Sequence, residues 1–168
     1  MKHGFAYLSQ NRFLSVPDDA SNKPFGVAGI PYDGAVTNRP GARFAPAAIR
    51  QASQMLCDGI HPFFNTSPYD FVRDLGDLAT PNTDLTAMRA SLAEQVPALL
   101  AQYHMCWLGG DHSITLGLLR AYRAWAGQPL AVLHFDAHCD TWEDHFGEPS
   151  GHGTWVYEAI TEGLVDPE

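Results

Sequence analysis

Basic residues are scarce in this chain. Lysine and arginine together number 10 among 168 residues, against 19 aspartates and glutamates, for a formal net charge of −9. Nucleic acid and anionic membrane surfaces both require clustered cations, so neither is an expected partner. An acidic protein favours cationic ligands, although charge alone identifies none. Cysteine is scarce as well. Cys57, Cys106 and Cys139 are odd in number and far apart, which argues against a disulfide framework and for a reducing, cytoplasmic compartment. No apolar run approaches the ~18 residues of a membrane-crossing helix. The opening MKHGFAYLSQNRF lacks the continuous apolar stretch of a secretory signal. There is no internal repeat and no low-complexity tract. With 45% hydrophobic and 17% charged residues, the composition is that of a soluble globular domain, long enough for one core and too short for two.

The pattern along the chain alternates. Residues 1–24 are polar and proline-bearing and read as an irregular arm ahead of one domain over 25–168. FGVAGIP (25–31) reads as a buried strand, and YDGAVTNRPGARFAP (32–46) as a long surface loop. Pro46 suits the first turn of a helix through AAIRQASQML. FVRDLGDL (71–78) reads as a short strand, with Asp74 and Asp77 as turn residues. Leu85, Met88, Leu92, Val96 and Leu99 recur at helical spacing over 84–101, where Pro97 is expected to kink or fray the end. MCWLGGDHS (105–113) is a strand broken by two glycines, ITLGLLRAYRAW (114–125) a helix, and PLAVLHFD (129–136) a further strand. This alternation predicts a mainly parallel sheet covered by helices. Such sheets place ligands beyond the carboxyl ends of their strands, which is where GGDHS and DAHCD fall.

LHFDAHCDTW (133–142) carries Asp136, His138 and Asp140 at alternate positions. In a continuous strand Asp136 and Asp140 would stand ~13 Å apart, whereas ions sharing carboxylates lie only ~3.5–4 Å apart. The strand is therefore expected to end near Asp136 and the chain to curl back. Aspartate and histidine without a convergent cysteine favour Mn²⁺ or a similar ion over structural zinc. Carboxylates can bridge two cations, whereas an imidazole binds one. Cys139 is expected to be a packing residue, and His134 a core or supporting histidine. His112 is the natural fourth ligand, its alternative being a cap for the helix that follows. Asp111 beside it is placed to hold an imidazole or backbone amides. His152, in SGHGTW, is a candidate for substrate contact or proton transfer, its alternative being a surface histidine. His3, His61, His104 and His145 have no constellation around them.

GGDHSIT followed by FDAHCD resembles the ureohydrolase family of arginases, agmatinases and other guanidino-group hydrolases. GIPYDGAVTNRPGARFAPAAIRQAS (29–53), DLGDL (74–78) and SGHGTWVYEAITEGLVDP (150–167) are similar to its agmatinase branch. The resemblance implies a three-layer α/β/α fold with a mainly parallel sheet. It implies His112, Asp136, His138 and Asp140 as ligands of a two-manganese site, with Asp136 the bridging carboxylate and His152 near the substrate. The implied reaction is attack of a metal-bridging hydroxide on a guanidinium carbon, releasing urea and an amine, with Asp140 or His152 protonating the leaving group. Where arginases carry an asparagine that meets the α-carboxylate of arginine, this chain has Trp142. An indole does not receive a carboxylate in that way, which favours a small cationic substrate such as agmatine, converted to putrescine, and leaves guanidinobutyrate open. Trp142 as a loop-packing residue is the alternative. The resemblance also implies a homo-oligomer when complete.

One departure is plain. The family's second metal motif, Asp-x-Asp, is not found after Asp140. The chain is therefore expected to be the N-terminal part of such an enzyme, with the C-terminal half missing. Four protein ligands under-coordinate two ions, and an open sheet edge exposes strand groups, so this segment by itself is expected to be weak or inactive. The alternatives are a non-catalytic interaction protein that keeps the fold, and a hydrolase with a single ion.

Overall fold

The computed structural model describes residues 11–17, 23–57 and 59–167. Most of the arm expected over 1–24 lies outside the described residues. Within it, Phe13–Ser15 forms one 3₁₀ turn that buries Leu14. The elements are β1 (Phe25–Gly29), α1 (Ala45–Ser53), β2 (Val72–Asp77), α2 (Leu85–Leu100), β3 (His104–Leu108), α3 (Ile114–Ala126) and α4 (Trp155–Thr161). The three strands form a parallel sheet in the order β2-β1-β3. Each crossover runs through a helix, as parallel neighbours require.

Alternation along the strands divides the core between two faces. Val27, Val72 and Leu108 share one face with Phe13 and Phe71. On the other, Met105 and Trp107 pack against Met88, Leu92, Val96, Ile114 and Leu118 of α2 and α3. Helix α2 starts because Asp84 Oδ1 accepts the amide of Ala87 at 2.9 Å, capping a backbone donor that the helix itself leaves unpaired. Its buried residues Met88, Leu92, Val96 and Leu100 recur every four positions. Pro97 does not end it: the helix runs on to Leu100, and Ala101 N–H bonds the Pro97 carbonyl at 3.1 Å. Gly127 closes α3 at φ 71°, the left-handed cap that glycine adopts without penalty.

Two expectations are corrected. PLAVLHFD is not a strand of the sheet. Leu130 alone makes a bridge, parallel to Val165, while Val132, Leu133 and Phe135 are 44%, 81% and 87% exposed. Its sequence is that of a strand buried on both faces, but among the described residues β3 pairs with β1 alone and no strand lies along 131–136. Asp74 and Asp77 are not simple turn residues. They receive the fully buried guanidinium of Arg50 from α1. Arg50 Nε and Nη2 lie 2.7 and 2.9 Å from the two oxygens of Asp74, Nη1 bonds Asp77 Oδ1, and Nη2 also reaches Gly76 O at 2.9 Å. Burial opposes the charge of Arg50, but these carboxylates outweigh it and raise its pKa. Arg50 therefore ties α1 to the end of β2.

Removing Arg50 strands a buried carboxylate. Arg50→Ala should cost about 3–5 kcal/mol in urea unfolding. Arg50→Lys should recover only part, since an ammonium cannot span both oxygens of Asp74.

Candidate metal centre

The site is built where the chain leaves β1 and β3. The two exits touch through main chain: Ile30 N–H bonds Leu108 O, and Asp111 N–H bonds Tyr32 O, each at 2.8 Å. A Cβ on Gly110 would lie 1.8 Å from Tyr32 O, so glycine is required there by close approach. Tyr32 is buried beneath the contact, and burial, followed by the charge of Asp111, pushes its pKa up to about 12. The loop after β1 is ordered by Asp33, which accepts the amides of Gly41 and Arg43 at 2.6 and 3.2 Å and pairs with the Arg43 guanidinium. Burial alone would raise the pKa of Asp33, but the Arg43 guanidinium and these two amides hold it below the ordinary value.

Asp111 is buried and organises the start of α3. Its Oδ1 accepts Ser113 N–H at 2.9 Å and the Ser113 hydroxyl, and its Oδ2 accepts Ala35 N–H at 3.0 Å. Asp111 thus serves the amide of Ser113, just ahead of α3, and the imidazole of His112 does not cap the helix. Its Nδ1 instead lies 2.8 Å from Asp140 Oδ2 and 3.2 Å from Asp136 Oδ2.

One ligand atom each from His112, His134, Asp136 and Asp140 falls within 4.8 Å of all the others. Sequence reasoning missed His134 as a member. Its Nε2 is buried with no hydrogen-bond partner, 3.6 Å from Asp136 Oδ2. A donor set in which Asp140 is buried, His112 and His134 are half-buried and the orphaned imidazole nitrogen is shielded from water fits a divalent cation, which would satisfy it. The chain curls back as expected: Ala137 and His138 form a bend, and Asp140 has φ 51°, in the left-handed region that aspartate tolerates better than most residues. Asp140 is buried and bonded by Trp155 Nε1 at 2.7 Å. Trp155, on α4, also packs against His112 and His134, with centroids at 5.0 and 4.9 Å. It too was missed, because nothing local in SGHGTW distinguishes it from a core residue.

His138 lies outside the four-residue group, with its side chain 82% exposed. The bend gives its amide to Asp136 Oδ1 at 2.9 Å and leaves its Nδ1 3.3 Å from the same oxygen. Asp136 therefore turns Oδ2 towards His112 and His134 and Oδ1 towards His138. Its pKa is lowered chiefly by the His138 amide, with the neighbouring imidazoles adding to this. Cys139 is exposed and not packed, its Sγ accepting the Thr141 hydroxyl at 3.2 Å.

A cavity of about 640 Å³ opens beside the group, with Thr37, His138, Asp140, Trp142, Phe146 and His152 in its walls. Trp142 stands edge-on to Phe146, centroids 5.8 Å apart, and its amide bonds Gly153 O at 3.2 Å. His152 Nδ1 lies 2.9 Å from Ala35 O. His145 does have surroundings of its own: it is buried and edge-on to His152, centroids 4.5 Å apart.

A parallel sheet with imidazoles and carboxylates gathered beyond its strand ends defines an α/β protein with a candidate metal site. The chain belongs to the arginase family, whose sequence pattern matches residues 23–168. It is 41% identical over 157 residues to an agmatinase of Chromobacterium violaceum, covering 89% of this chain and 48% of that protein. It is 37% identical over 165 residues to a guanidinopropionase of Pseudomonas aeruginosa, covering 92% of this chain and 50% of that one. Among solved structures, proclavaminate amidino hydrolase from Streptomyces clavuligerus superposes with a TM-score of 0.83 at 36% identity, over 96% of this chain and 55% of that one. The chain thus spans about half the length of the relatives it matches. Among the described residues, no helix is long and apolar enough to cross a membrane.

Trp155→Phe keeps the ring but removes the donor to Asp140. Calorimetric titration with a divalent cation should show affinity falling roughly 10–100-fold. Asp33 should govern acid sensitivity. Its folded pKa lies below the unfolded value, so its ionised form stabilises the fold at neutral pH. That contribution disappears as pH falls through the folded value. Asp33→Asn should melt lower at neutral pH and show a flatter loss of stability in acid.

Proposed function

We propose that this chain forms part of a protein that hydrolyses a guanidino compound to urea and an amine, with agmatine the first candidate and putrescine its product. The observation that carries the reading is the division of Asp136. One oxygen faces His112 and His134 and the other faces His138, which supports two cations sharing this carboxylate. His112, Asp136, Asp140 and His138 would hold the ions, with His134 a further donor in reach. Aspartate and histidine donors without cysteine favour manganese. Bound manganese would supply a water acidic enough to attack at neutral pH. The proposal assigns the remaining carboxylates to the rest of the protein, and a homo-oligomer as its assembly.

The chain's own residues have separable tasks. Asp140 is held by Trp155 and His112, so it positions more readily than it shuttles protons. His152 faces the cavity with one nitrogen already bonded, which leaves the other to receive a proton and return it to the departing amine. Trp142 and Phe146 offer aromatic faces to the far end of the substrate, and such faces attract a cation. The relation to agmatinases supports an ammonium there, and the relation to a guanidinopropionase favours a guanidino acid as the second reading.

Urea release by the whole protein with added Mn²⁺ decides between them. Agmatine should turn over fastest. Faster turnover of guanidinopropionate or guanidinobutyrate would move the assignment to the acids, and no urea from any of them would sink it. His152→Asn should lower kcat roughly 10²–10⁴-fold with little change in KM.

A further inference from the structure

His152 is oriented from a distant part of the chain. Its Nδ1 is 2.9 Å from the carbonyl oxygen of Ala35, a residue 117 positions earlier in the loop that leaves β1. A carbonyl oxygen only accepts. Nδ1 therefore carries the hydrogen, and Nε2 of the neutral ring keeps its lone pair. Free histidine in water prefers the opposite tautomer, so the fold imposes this one.

Ala35 is itself held. Its N–H lies 3.0 Å from Asp111 Oδ2, while Asp111 Oδ1 takes the amide and hydroxyl of Ser113, directly after His112. Asp111 is only 6% exposed. Every group aimed at it is a donor, which is why a carboxylate suits the position. An amide would turn an NH₂ towards either Ala35 or Ser113 and lose one side. His145 supports the ring edge-on at 4.5 Å and limits its rotation.

We propose that Asp111 is a positioning residue for His152: by fixing Ala35 it selects the Nδ1–H tautomer and reserves the Nε2 lone pair for the cavity. A guanidinium presents only N–H donors, so a lone pair can receive them, whereas an Nε2–H would set donor against donor. The part played in turnover rests on the guanidine-hydrolase reading, but the tautomer does not. The same carboxylate that fixes the turn bearing His112 thereby sets the hydrogen-bonding state of His152 across the cavity.

The test is long-range ¹H–¹⁵N correlation on the whole protein with ¹⁵N-labelled histidine, above the imidazole titration range. Wild-type His152 should be the Nδ1–H tautomer, and finding Nε2–H overturns the proposal whatever the variants do. Asp111→Asn should shift His152 towards Nε2–H and lower kcat roughly 10–100-fold when the two proteins are compared at equal metal content. A folded Asp111→Asn protein with the wild-type tautomer overturns the role of Asp111. Ser113→Ala removes one donor and leaves Ala35 bonded, so it should keep the wild-type tautomer, and a shift there overturns the route through Ala35. If the wild type releases no urea from any guanidino compound, the functional reading falls while the tautomer measurement still decides this one.

Discussion

The main-chain contact between the exits of β1 and β3 is the constraint on which the site depends. Tyr32 O meets the amide of Asp111 at 2.8 Å, and Gly110 leaves no room for a side chain against Tyr32. This contact fixes where Asp111 stands, and Asp111 then places both the turn that presents His112 and the loop that holds Ala35. Backbone hydrogen bonds are directional and cannot be left unmade in a buried place without cost. The site thus inherits its precision from the sheet edge beneath it.

On that frame the chemistry is a problem of charge. Asp136 and Asp140 approach two imidazoles closely, and like-charged carboxylates so placed favour a cation between them. Trp155 anchors Asp140 from α4, and α4 in turn packs on α3 through Leu116 and Leu119. The donor group is therefore supported from the helices as well as from the loops. The opposite assignment of the two Asp136 oxygens lets one carboxylate serve both sides, which neither imidazole can do.

The three strands, the helices α1 to α3 and the place of the site were legible in the sequence, because periodicity and glycine breaks are local signals. What was missed depends on distant partners. Asp74 and Asp77 look like turn residues until Arg50, 24 positions from Asp74, is buried on them. His145 has no neighbours in sequence that suggest His152. His134 was assigned to support on the phase of a strand, and that strand does not form here. PLAVLHFD shows the limit of composition: an apolar run announces that it ought to be covered, but it does not supply the cover. His112, Asp136 and Asp140 were recognised by pattern and stand together in space, while the same pattern placed His138 with them and the bend holds it to the side.

The acceptor that orients His152 belongs to the backbone of residue 35. Its side chain packs against the core beside Ile30 and Tyr32, so packing limits the size of residue 35, while the carbonyl it presents is common to every residue type. The state of the imidazole is thus written into the residues that steer the loop's path, Asp111 among them, and the course of the chain rather than the chemistry of a neighbouring side chain orients the ring.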